Sequence, residues 1–198
     1  MRDITNIILI SGKAGHGKTT FGDMLCGTIN EYLKEEKYFR IAFGDLVKYI
    51  CSKYFGYSGT KDEEGRNILQ HIATEVVRAH DPTFWADFVA RFLDCVKMME
   101  YKWIIIDDFR FPNEAEALYN LDDRLDHIIT VKIERYDGDN EYVNPLMTKD
   151  QLKHTSETAL DNWAFDYIVE NHNMEDLKAS AEELIRRIRF RHFLNLML

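Results

Sequence analysis

Hydrophobic positions along this chain form two alternating kinds of segment. Short runs of consecutive apolar or β-branched residues, typical of buried strands, cover residues 4–10, 38–43, 103–107, 127–133 and 165–169. Between most of these runs, apolar residues recur at the spacing of a helix face. Near-continuous apolar strands that alternate with helices are typical of a parallel sheet covered on both faces. The pattern therefore predicts a three-layer α/β fold with a five-stranded parallel sheet.

Polar residues mark several expected helix boundaries. Asp81 and Pro82 predict an N-cap and the first residue of a helix. The apolar face of that helix would then consist of Trp85, Phe88, Val89, Phe92, Leu93 and Val96. Pro112 predicts a turn after which Asn113 caps a helix, and Asn173 is a candidate cap for the last helix.

The composition is that of a globular protein and predicts a single domain over residues 1–198. The chain is 45% hydrophobic and 30% charged, which is enough apolar material for a substantial core. No run approaches the roughly 18 apolar residues of a membrane-spanning helix, so we expect no membrane association. Cys26, Cys51 and Cys95 are odd in number and form no C-x-x-C pair, which indicates reduced thiols and a cytoplasmic protein.

The charge balance limits the expected partners. The chain carries 34 Asp and Glu residues against 25 Lys and Arg, a formal net charge of −9. Nucleic acid is therefore not an expected partner, and any phosphate site must rely on cations concentrated locally. The tail, residues 190–198, mixes basic and apolar residues, a pattern compatible with packing on the core or on the partner subunit of a homodimer.

The most specific short motif directly follows the first apolar run. Residues 12–19 read GKAGHGKT and match the phosphate-binding P-loop, G-x-x-x-x-G-K-[ST], between an expected strand and an expected helix. Lys18 is expected to reach the β- and γ-phosphates of ATP, and the Thr19 hydroxyl to ligate Mg²⁺. His16 is expected to contribute its backbone only. The predicted ATP-binding residues are Gly12, Lys13, Ala14, Gly15, His16, Gly17, Lys18, Thr19 and Thr20.

Two carboxylates and an arginine follow the third apolar run. Asp107 and Asp108 end an expected strand, where P-loop enzymes place an acidic residue that holds the Mg²⁺ shell. Either could be the metal ligand, and a helix cap or a surface position is the alternative for both. Arg110 lies just past the carboxyl end of the sheet, where a guanidinium can bind phosphate; a structural salt bridge is its alternative.

Several stretches, in this order, resemble one enzyme family. They are the P-loop, FGDLVK at 43–48, GRNILQ at 65–70 with Arg78 and Trp85 beyond it, DFRFPNE at 108–114, HTSETALD at 154–161 and FDYIVEN at 165–171. Together they cover most of the chain and resemble the deoxynucleoside monophosphate kinases encoded by tailed bacteriophages. The RFPNE and H-x-S-E stretches are much more specific than the P-loop, which many folds share.

The resemblance implies an adenylate-kinase-like fold and transfer of the γ-phosphoryl group of Mg-ATP to a deoxynucleoside monophosphate. ATP and Mg²⁺ are the implied cofactors, and a phage-encoded chain would act in the cytoplasm of the infected host. Carried over by position, Asp108 is the aspartate at the end of the third strand, and Arg110 holds phosphate. The implied acceptor-binding residues, in a region of about 44–95 and beyond it, are Asp45, Lys48, Arg66, Gln70, Arg78, Trp85, Arg110 and Glu157.

A lid is expected over about residues 135–157, because the stretch 136–148 is polar and has weak periodicity. Arg135 is expected to end the fourth strand and to swing onto the transferring phosphoryl group as the lid closes. The predicted catalytic residues are therefore Lys18, Asp108, Arg110 and Arg135. A solvated surface position is the alternative for Arg135, and surface salt bridges are the alternative for Arg66 and Arg78. His154 is expected to fix its loop through Ser156 or Glu157.

Three other functions share parts of this pattern. A P-loop kinase could act on another acceptor, such as a modified base in DNA or a small metabolite, and would differ within residues 45–90. The acidic charge argues against DNA. The absence of an N-K-x-D signature argues against a guanine-nucleotide switch, and the short chain argues against a motor. Intact Lys18, Thr19 and Asp108 argue against a P-loop protein without turnover.

Overall fold

A parallel sheet lies at the centre of the structure, a computed structural model that describes residues 5–34, 36–60, 62–97, 99–120 and 127–197. Its strands are β1 (Asn6–Ser11), β2 (Tyr38–Ile41), β3 (Trp103–Ile106), β4 (His127–Asp137) and β6 (Tyr167–Asn171), with a two-residue strand β5 (Asn140–Glu141). The parallel strands follow the order β2-β3-β1-β4-β6, and β5 pairs antiparallel with the end of β4. The predicted α/β fold with five parallel strands is confirmed.

Helices cover both faces of this sheet. They are α1 (Lys18–Tyr32), α2 (Gly44–Tyr54), α3 (Glu63–Gln70), α4 (Phe84–Lys97), α5 (Pro112–Tyr119), α6 (Lys149–Lys153), α7 (Thr155–Thr158) and α8 (Met174–Met197). Successive residues of a strand point to opposite faces. In β1, Ile8 and Ile10 therefore pack with α1 and α8, whereas Ile7 and Leu9 pack with α4 and α5. Burial on both sides explains why the strands read as continuous apolar runs.

A smaller apolar cluster lies beside the sheet, between α2, α3 and the start of α4. Its buried members are Val47, Cys51, Tyr57 and Trp85. Helix α3 continues into a π-helical segment, His71–Arg78, whose wide turns are characteristic of functional sites. This cluster packs together the helices of the expected acceptor region.

Two of the predicted helix starts are wrong. Helix α4 begins at Phe84 because the carboxylate of Asp81 accepts the N–H of Thr83 and makes a turn there. Helix α5 begins at Pro112, and its first turn is capped by the side chain of Glu114, not by Asn113. The predicted cap of α8 is confirmed, since Asn173 Oδ1 accepts the N–H groups of Glu175 and Asp176 at 2.9 Å.

The structure also corrects the extent of some apolar faces. Trp85, Val89, Leu93 and Val96 are buried, but Phe88 and Phe92 of the same predicted face are exposed. Cys26 and Cys51 are buried thiols, and Cys95 is exposed. Helix α8 runs through most of the tail, but the side chains of residues 192–198 lie outside the described residues, so the expected contact of the tail with the core or a partner subunit stays a prediction. None of the described helices has the length and apolar character needed to cross a bilayer.

We expect Leu25→Ala to destabilise the protein by about 2–5 kcal/mol. Leu25, on α1, is fully buried against α8 and the sheet, and its truncation leaves a cavity. Equilibrium unfolding in urea measures this change. The control is Tyr32→Ala at the exposed end of α1, which should change stability by less than about 0.5 kcal/mol. Equal effects of the two substitutions would contradict the assigned core.

Candidate active site

The P-loop and the carboxyl ends of the parallel strands enclose a cleft of about 750 Å³. Residues 12–17 connect β1 to α1, so the free N–H groups of the first helical turn follow the loop directly. Gly12 has φ 143°, and a Cβ there would lie 2.5 Å from the carbonyl oxygen of Ile133. Only glycine allows the start of the loop to pass this close to β4. This close approach fixes the position of the loop relative to β4.

Most residues predicted from the sequence line this cleft. They are Ala14, Gly15, Gly17, Lys18, Thr19, Thr20, Asp45, Lys48, Arg66, Gln70, Arg78, Trp85, Asp107, Asp108, Arg110 and Glu157. In the part of the chain that the structure describes, the wall does not include Gly12, Lys13, His16 or Arg135. The fold thus brings the expected nucleotide and acceptor residues to one place, although their individual roles stay predictions.

The P-loop lysine is held by its own loop. Lys18 Nζ donates to the carbonyl oxygens of Gly12 at 2.6 Å and Lys13 at 2.9 Å. These contacts keep the ammonium group at the P-loop, in the wall of the cleft, where it can bind an anion.

A single carboxylate connects the P-loop to Arg110. Glu157 Oε2 accepts the N–H of Ala14 at 2.9 Å, and Oε1 accepts Arg110 Nη1 at 2.5 Å. Arg110 Nη1 also donates to the carbonyl oxygen of Ser156 at 3.1 Å. Burial alone would raise the pKa of Glu157, but the charge and the hydrogen bond of Arg110, together with Lys18 and the N–H of Ala14, outweigh this effect and the pKa is lowered. An anionic group therefore already lies between a phosphate-binding amide and a guanidinium.

A second buried carboxylate, Glu114, organises the turn that carries Arg110. Its Oε1 accepts Arg78 Nη2 at 2.5 Å, and its Oε2 accepts the N–H groups of Arg110 and Phe111 at 2.8 and 3.1 Å. The Arg78 guanidinium also lies 3.9 Å from the centre of the Phe111 ring. Arg78 therefore forms a buried ion pair, not a surface one. Sequence reasoning missed Glu114, although its place at the third position of α5 is the usual one for a capping glutamate.

The two aspartates that end β3 face different partners. Asp108 Oδ1 accepts the N–H of Phe43 at 2.7 Å, and Oδ2 accepts the N–H of Gly44 at 2.8 Å. Asp108 thus caps the start of α2, and its burial raises its pKa. Asp107 instead forms an ion pair with Arg40 at 2.7 Å.

This difference decides which carboxylate suits a Mg²⁺ ion. Asp107 Oδ2 and the carbonyl oxygen of Thr19 both accept from Arg40 Nη2, so the end of β3 lies against the first turn of α1. The Thr19 hydroxyl and the Asp107 carboxylate supply oxygen ligands of the kind that Mg²⁺ prefers. Such an ion usually takes one or two ligands from the protein and the others from phosphate and water. The residues present fit the ion, and they fit it better through Asp107 than through Asp108.

Arg40 is a cleft residue that sequence reasoning missed. Burial opposes its charge, but hydrogen bonds to Asp107 and Asp23 outweigh this effect and raise its pKa. Its signal in the sequence is a single arginine within the otherwise apolar run of β2, a position where an unpaired charge would be costly.

The part of the cleft where the acceptor is expected is formed by α2, α3 and the π-helical segment. Asp45 Oδ2 accepts the N–H of Ala42 at 2.8 Å, and its Oδ1 pairs with Lys48 Nζ at 2.9 Å. The indole N–H of Trp85 donates to the carbonyl oxygen of Ala73 at 3.0 Å, which fixes the π-helical segment onto α4. Trp85 contributes a buried, internally bonded wall of the site.

Arg135 lies inside β4, so the prediction that it ends the strand is wrong. The strand continues to Asp137 because β5 extends its pairing. Arg135 Nη1 donates to the carbonyl oxygen of Gly15 at 3.2 Å, and its guanidinium stacks 4.1 Å from the ring centre of Tyr142. The guanidinium contacts the P-loop from outside the cleft wall, and its catalytic role stays a prediction.

His16 has a structural role that was not predicted. Its ring is buried, and Nε2 bonds the carbonyl oxygen of Tyr142 at 2.9 Å while Nδ1 accepts the N–H of Arg135 at 3.2 Å. The P-loop is therefore bonded to β4 and to the chain that leaves the β4–β5 hairpin.

The expected lid segment bridges the two halves of the cleft. After Tyr142, the carbonyl oxygen of Leu146 accepts Arg66 Nη1 at 2.9 Å, and Gln151 Nε2 donates to Asn67 Oδ1 at 3.1 Å. The segment thus runs from the P-loop to α3 and contacts both.

His154 fixes the turn between α6 and α7, as expected. Its Nδ1 lies 2.9 Å from the Ser156 hydroxyl and accepts the N–H of Ser156 at 3.2 Å. The bond orients the short helix that presents Glu157 to the cleft.

Known structures share this fold at low sequence identity. No family model and no curated protein sequence matches the chain. A Mycobacterium tuberculosis APS kinase has a TM-score of 0.52 at 7% identity, covering 94% of this chain and 98% of that one. The Deinococcus radiodurans tunicamycin resistance protein has a TM-score of 0.54 at 15% identity, covering 93% of this chain and 95% of that one. A sugar kinase from Janibacter sp. has a TM-score of 0.51 at 13% identity, covering 89% of this chain and 92% of that one. The chain therefore shares its fold with these three proteins.

We expect the stability of the protein to depend on pH through Glu114. Burial raises the pKa of this carboxyl to about 7, although Arg78 opposes the shift; the ordinary value is about 4.3. The folded state therefore binds this proton more tightly than the unfolded state. The contribution of Glu114 to stability is greatest below about pH 4.5 and declines as the pH rises to about 7.

Urea unfolding of the wild type and Glu114→Gln at pH 5, 6, 7 and 8 tests this expectation. The free energy of unfolding of the wild type, relative to the variant, should fall by on the order of 2 kcal/mol over this range. The glutamine amide cannot accept from all three donors, so the substitution should lower the free energy of unfolding by a constant amount at every pH. The test is therefore the slope of this free energy against pH. Parallel pH profiles would contradict the assignment.

Proposed function

We propose that the protein is an ATP-dependent kinase that phosphorylates a deoxynucleoside monophosphate. The observation that carries the proposal is the Glu157 carboxylate, held at once by a P-loop amide and by Arg110. A site that binds one anion between these two groups is suited to the phosphoryl group that passes from a donor on the P-loop to an acceptor beside Arg110. The sequence resemblance supplies the acceptor class.

The donor side is formed by the P-loop. Its backbone N–H groups and Lys18 bind the β- and γ-phosphates, and the N-terminus of α1 adds partial positive charge. The Thr19 hydroxyl and the Asp107 carboxylate would hold a Mg²⁺ ion, which would neutralise charge on the phosphates. To contact a phosphate, Lys18 Nζ would move away from the carbonyl oxygens of Gly12 and Lys13.

The acceptor side is formed by three arginines. Arg78 is anchored by the buried carboxylate of Glu114, which also accepts the backbone N–H of Arg110, whereas the bond that Arg66 makes to the lid, at Leu146, is to a carbonyl oxygen. Anchored guanidiniums bind a phosphate with little loss of side-chain entropy. The nucleobase would lie toward Gln70 and the wall formed by Trp85, both of which line the cleft.

No general base is needed for this reaction. Phosphoryl transfer depends on alignment and on neutralisation of charge at the transferring oxygens. Binding of the acceptor phosphate at Arg110 would displace the carboxylate of Glu157, which moves with α7 and the lid. The site then exchanges one anion for another, which keeps its charge nearly constant.

A kinase of a small metabolite is the second candidate. The structural neighbours favour it, because one is an APS kinase that has been solved with AMPPNP and APS and another is a sugar kinase. Both candidates use the same donor site and differ in the acceptor region.

The function is tested by ADP release from Mg-ATP with a panel of acceptors. The panel contains dTMP, dGMP, dCMP, dAMP, dUMP, hydroxymethylated pyrimidine monophosphates, adenosine 5′-phosphosulfate, simple sugars and duplex DNA. Turnover with a deoxynucleoside monophosphate supports the proposal. Turnover only with a metabolite selects the second candidate, and ATP hydrolysis that ignores every acceptor would refute both.

We expect Lys18→Ala to lower kcat by on the order of 100-fold or more, because it removes the cation that stabilises charge on the transferred group. Folding should persist, since the bonds of the ammonium group to the carbonyl oxygens of Gly12 and Lys13 lie within the P-loop itself. Steady-state kinetics and circular dichroism measure the two effects. Lys178→Ala on exposed α8 is the control, and a Lys18 variant with near-normal kcat would rule out the assigned donor site.

A further inference from the structure

Arg40 joins three segments at the nucleotide side of the cleft. Its Nη2 donates to Asp107 Oδ2 at 2.7 Å and to the carbonyl oxygen of Thr19 at 3.0 Å, and its Nη1 pairs with Asp23. Only 24% of the side chain is exposed. The guanidinium therefore fastens the end of β3 to the first turns of α1, on which the P-loop hydroxyl is carried.

Gly22 provides the space that Arg40 occupies. A Cβ at Gly22 would lie 3.1, 3.2 and 3.3 Å from Nη2, Cζ and Nε of Arg40. A glycine inside a helix costs about 0.5–1 kcal/mol relative to alanine. In the same helix, a Cβ at Gly27 would meet no atom within 4 Å. The two glycines thus differ in their surroundings, because Gly22 is buried against the guanidinium and Gly27 is exposed.

Asp107 depends on this guanidinium for its orientation. A carboxylate at the end of a strand can rotate freely unless a donor fixes it, and a planar guanidinium fixes it while also bonding a second acceptor. A lysine has a single nitrogen and cannot reproduce the fork across Asp107, Thr19 and Asp23.

We propose that Arg40 is a positioning residue for Mg-nucleotide binding, which holds the Asp107 carboxylate beside Thr19 in the orientation that a Mg²⁺ ion on the nucleotide requires. This inference rests on the proposed donor site, but not on the identity of the acceptor. Partners that orient the ligands of a metal typically contribute a factor of about 10–100 to its affinity.

The test is calorimetric titration of ATP without any acceptor, once with Mg²⁺ and once with EDTA. For Arg40→Ala, the Kd measured with Mg²⁺ should rise about tenfold or more, and the Kd measured in EDTA should change much less. Arg40→Lys should restore only part of the Mg²⁺ effect. A residue that merely supports the fold would shift both constants by the same factor.

Gly22→Ala gives an independent test that leaves every charge in place. The added methyl group should push the guanidinium from Asp107 and lower the Mg²⁺-dependent affinity, whereas Gly27→Ala should bind Mg-ATP like the wild type. In the Arg40→Ala background, Gly22→Ala should not lower the Mg²⁺-dependent affinity further, because the guanidinium that the methyl group displaces is absent. Since alanine is favoured in helices, this variant also tests the inference if Arg40→Ala does not fold.

Two results would overturn the inference alone: equal shifts with Mg²⁺ and EDTA for Arg40→Ala, or Gly22→Ala behaving like Gly27→Ala. Failure of the wild type to bind ATP under either condition would instead overturn the proposed donor site, and this inference would fall with it. Nucleotide binding that depends on Arg40 but no turnover with any deoxynucleotide would support the inference and contradict only the acceptor class.

Discussion

Buried carboxylates hold the segments of the cleft together, because a charge removed from water must be matched by donors. Asp108 connects the end of β3 to the start of α2, and Glu157 connects α7 to the P-loop. Glu114 orders the turn before α5 and, through Arg78, the π-helical segment. The bonds of Asp108 and Glu157 and the Arg78–Glu114 pair join parts that are far apart in sequence. The geometry of the site therefore depends on a few ion pairs and caps rather than on one rigid element.

This arrangement explains how an acidic chain can bind phosphate. The cations of the cleft are almost balanced by its own carboxylates, as in the pairs of Arg40 with Asp107 and Arg110 with Glu157. A substrate phosphate would replace a carboxylate and would not have to neutralise an uncompensated positive cluster. The cleft therefore attracts anions locally while the net charge of −9 disfavours long polyanions.

The segment expected to form a lid is bonded both to the P-loop and to α3. The buried His16 ring and Arg135 fasten its start to the P-loop, and Arg66 and Gln151 fasten its far end to α3. Opening the cleft must break one of these sets of hydrogen bonds. Since the expected lid runs into α7, such a motion would also withdraw Glu157 from the P-loop amide.

The sequence by itself determined the strands, the P-loop and most of the residues that line the cleft, because buried parallel strands and phosphate loops leave strong local patterns. It could not determine the start of α4 or the end of β4, since a turn at Asp81 and pairing with β5 decide them. It favoured Asp108 as the catalytic carboxylate and left both Asp107 and Asp108 open as metal ligands. Only the tertiary structure separated them, by placing Arg40 against one and the backbone of α2 against the other. Such long-range pairs have no periodicity in the sequence, which is why Arg40, Glu114 and the His16 ring emerged only from the fold.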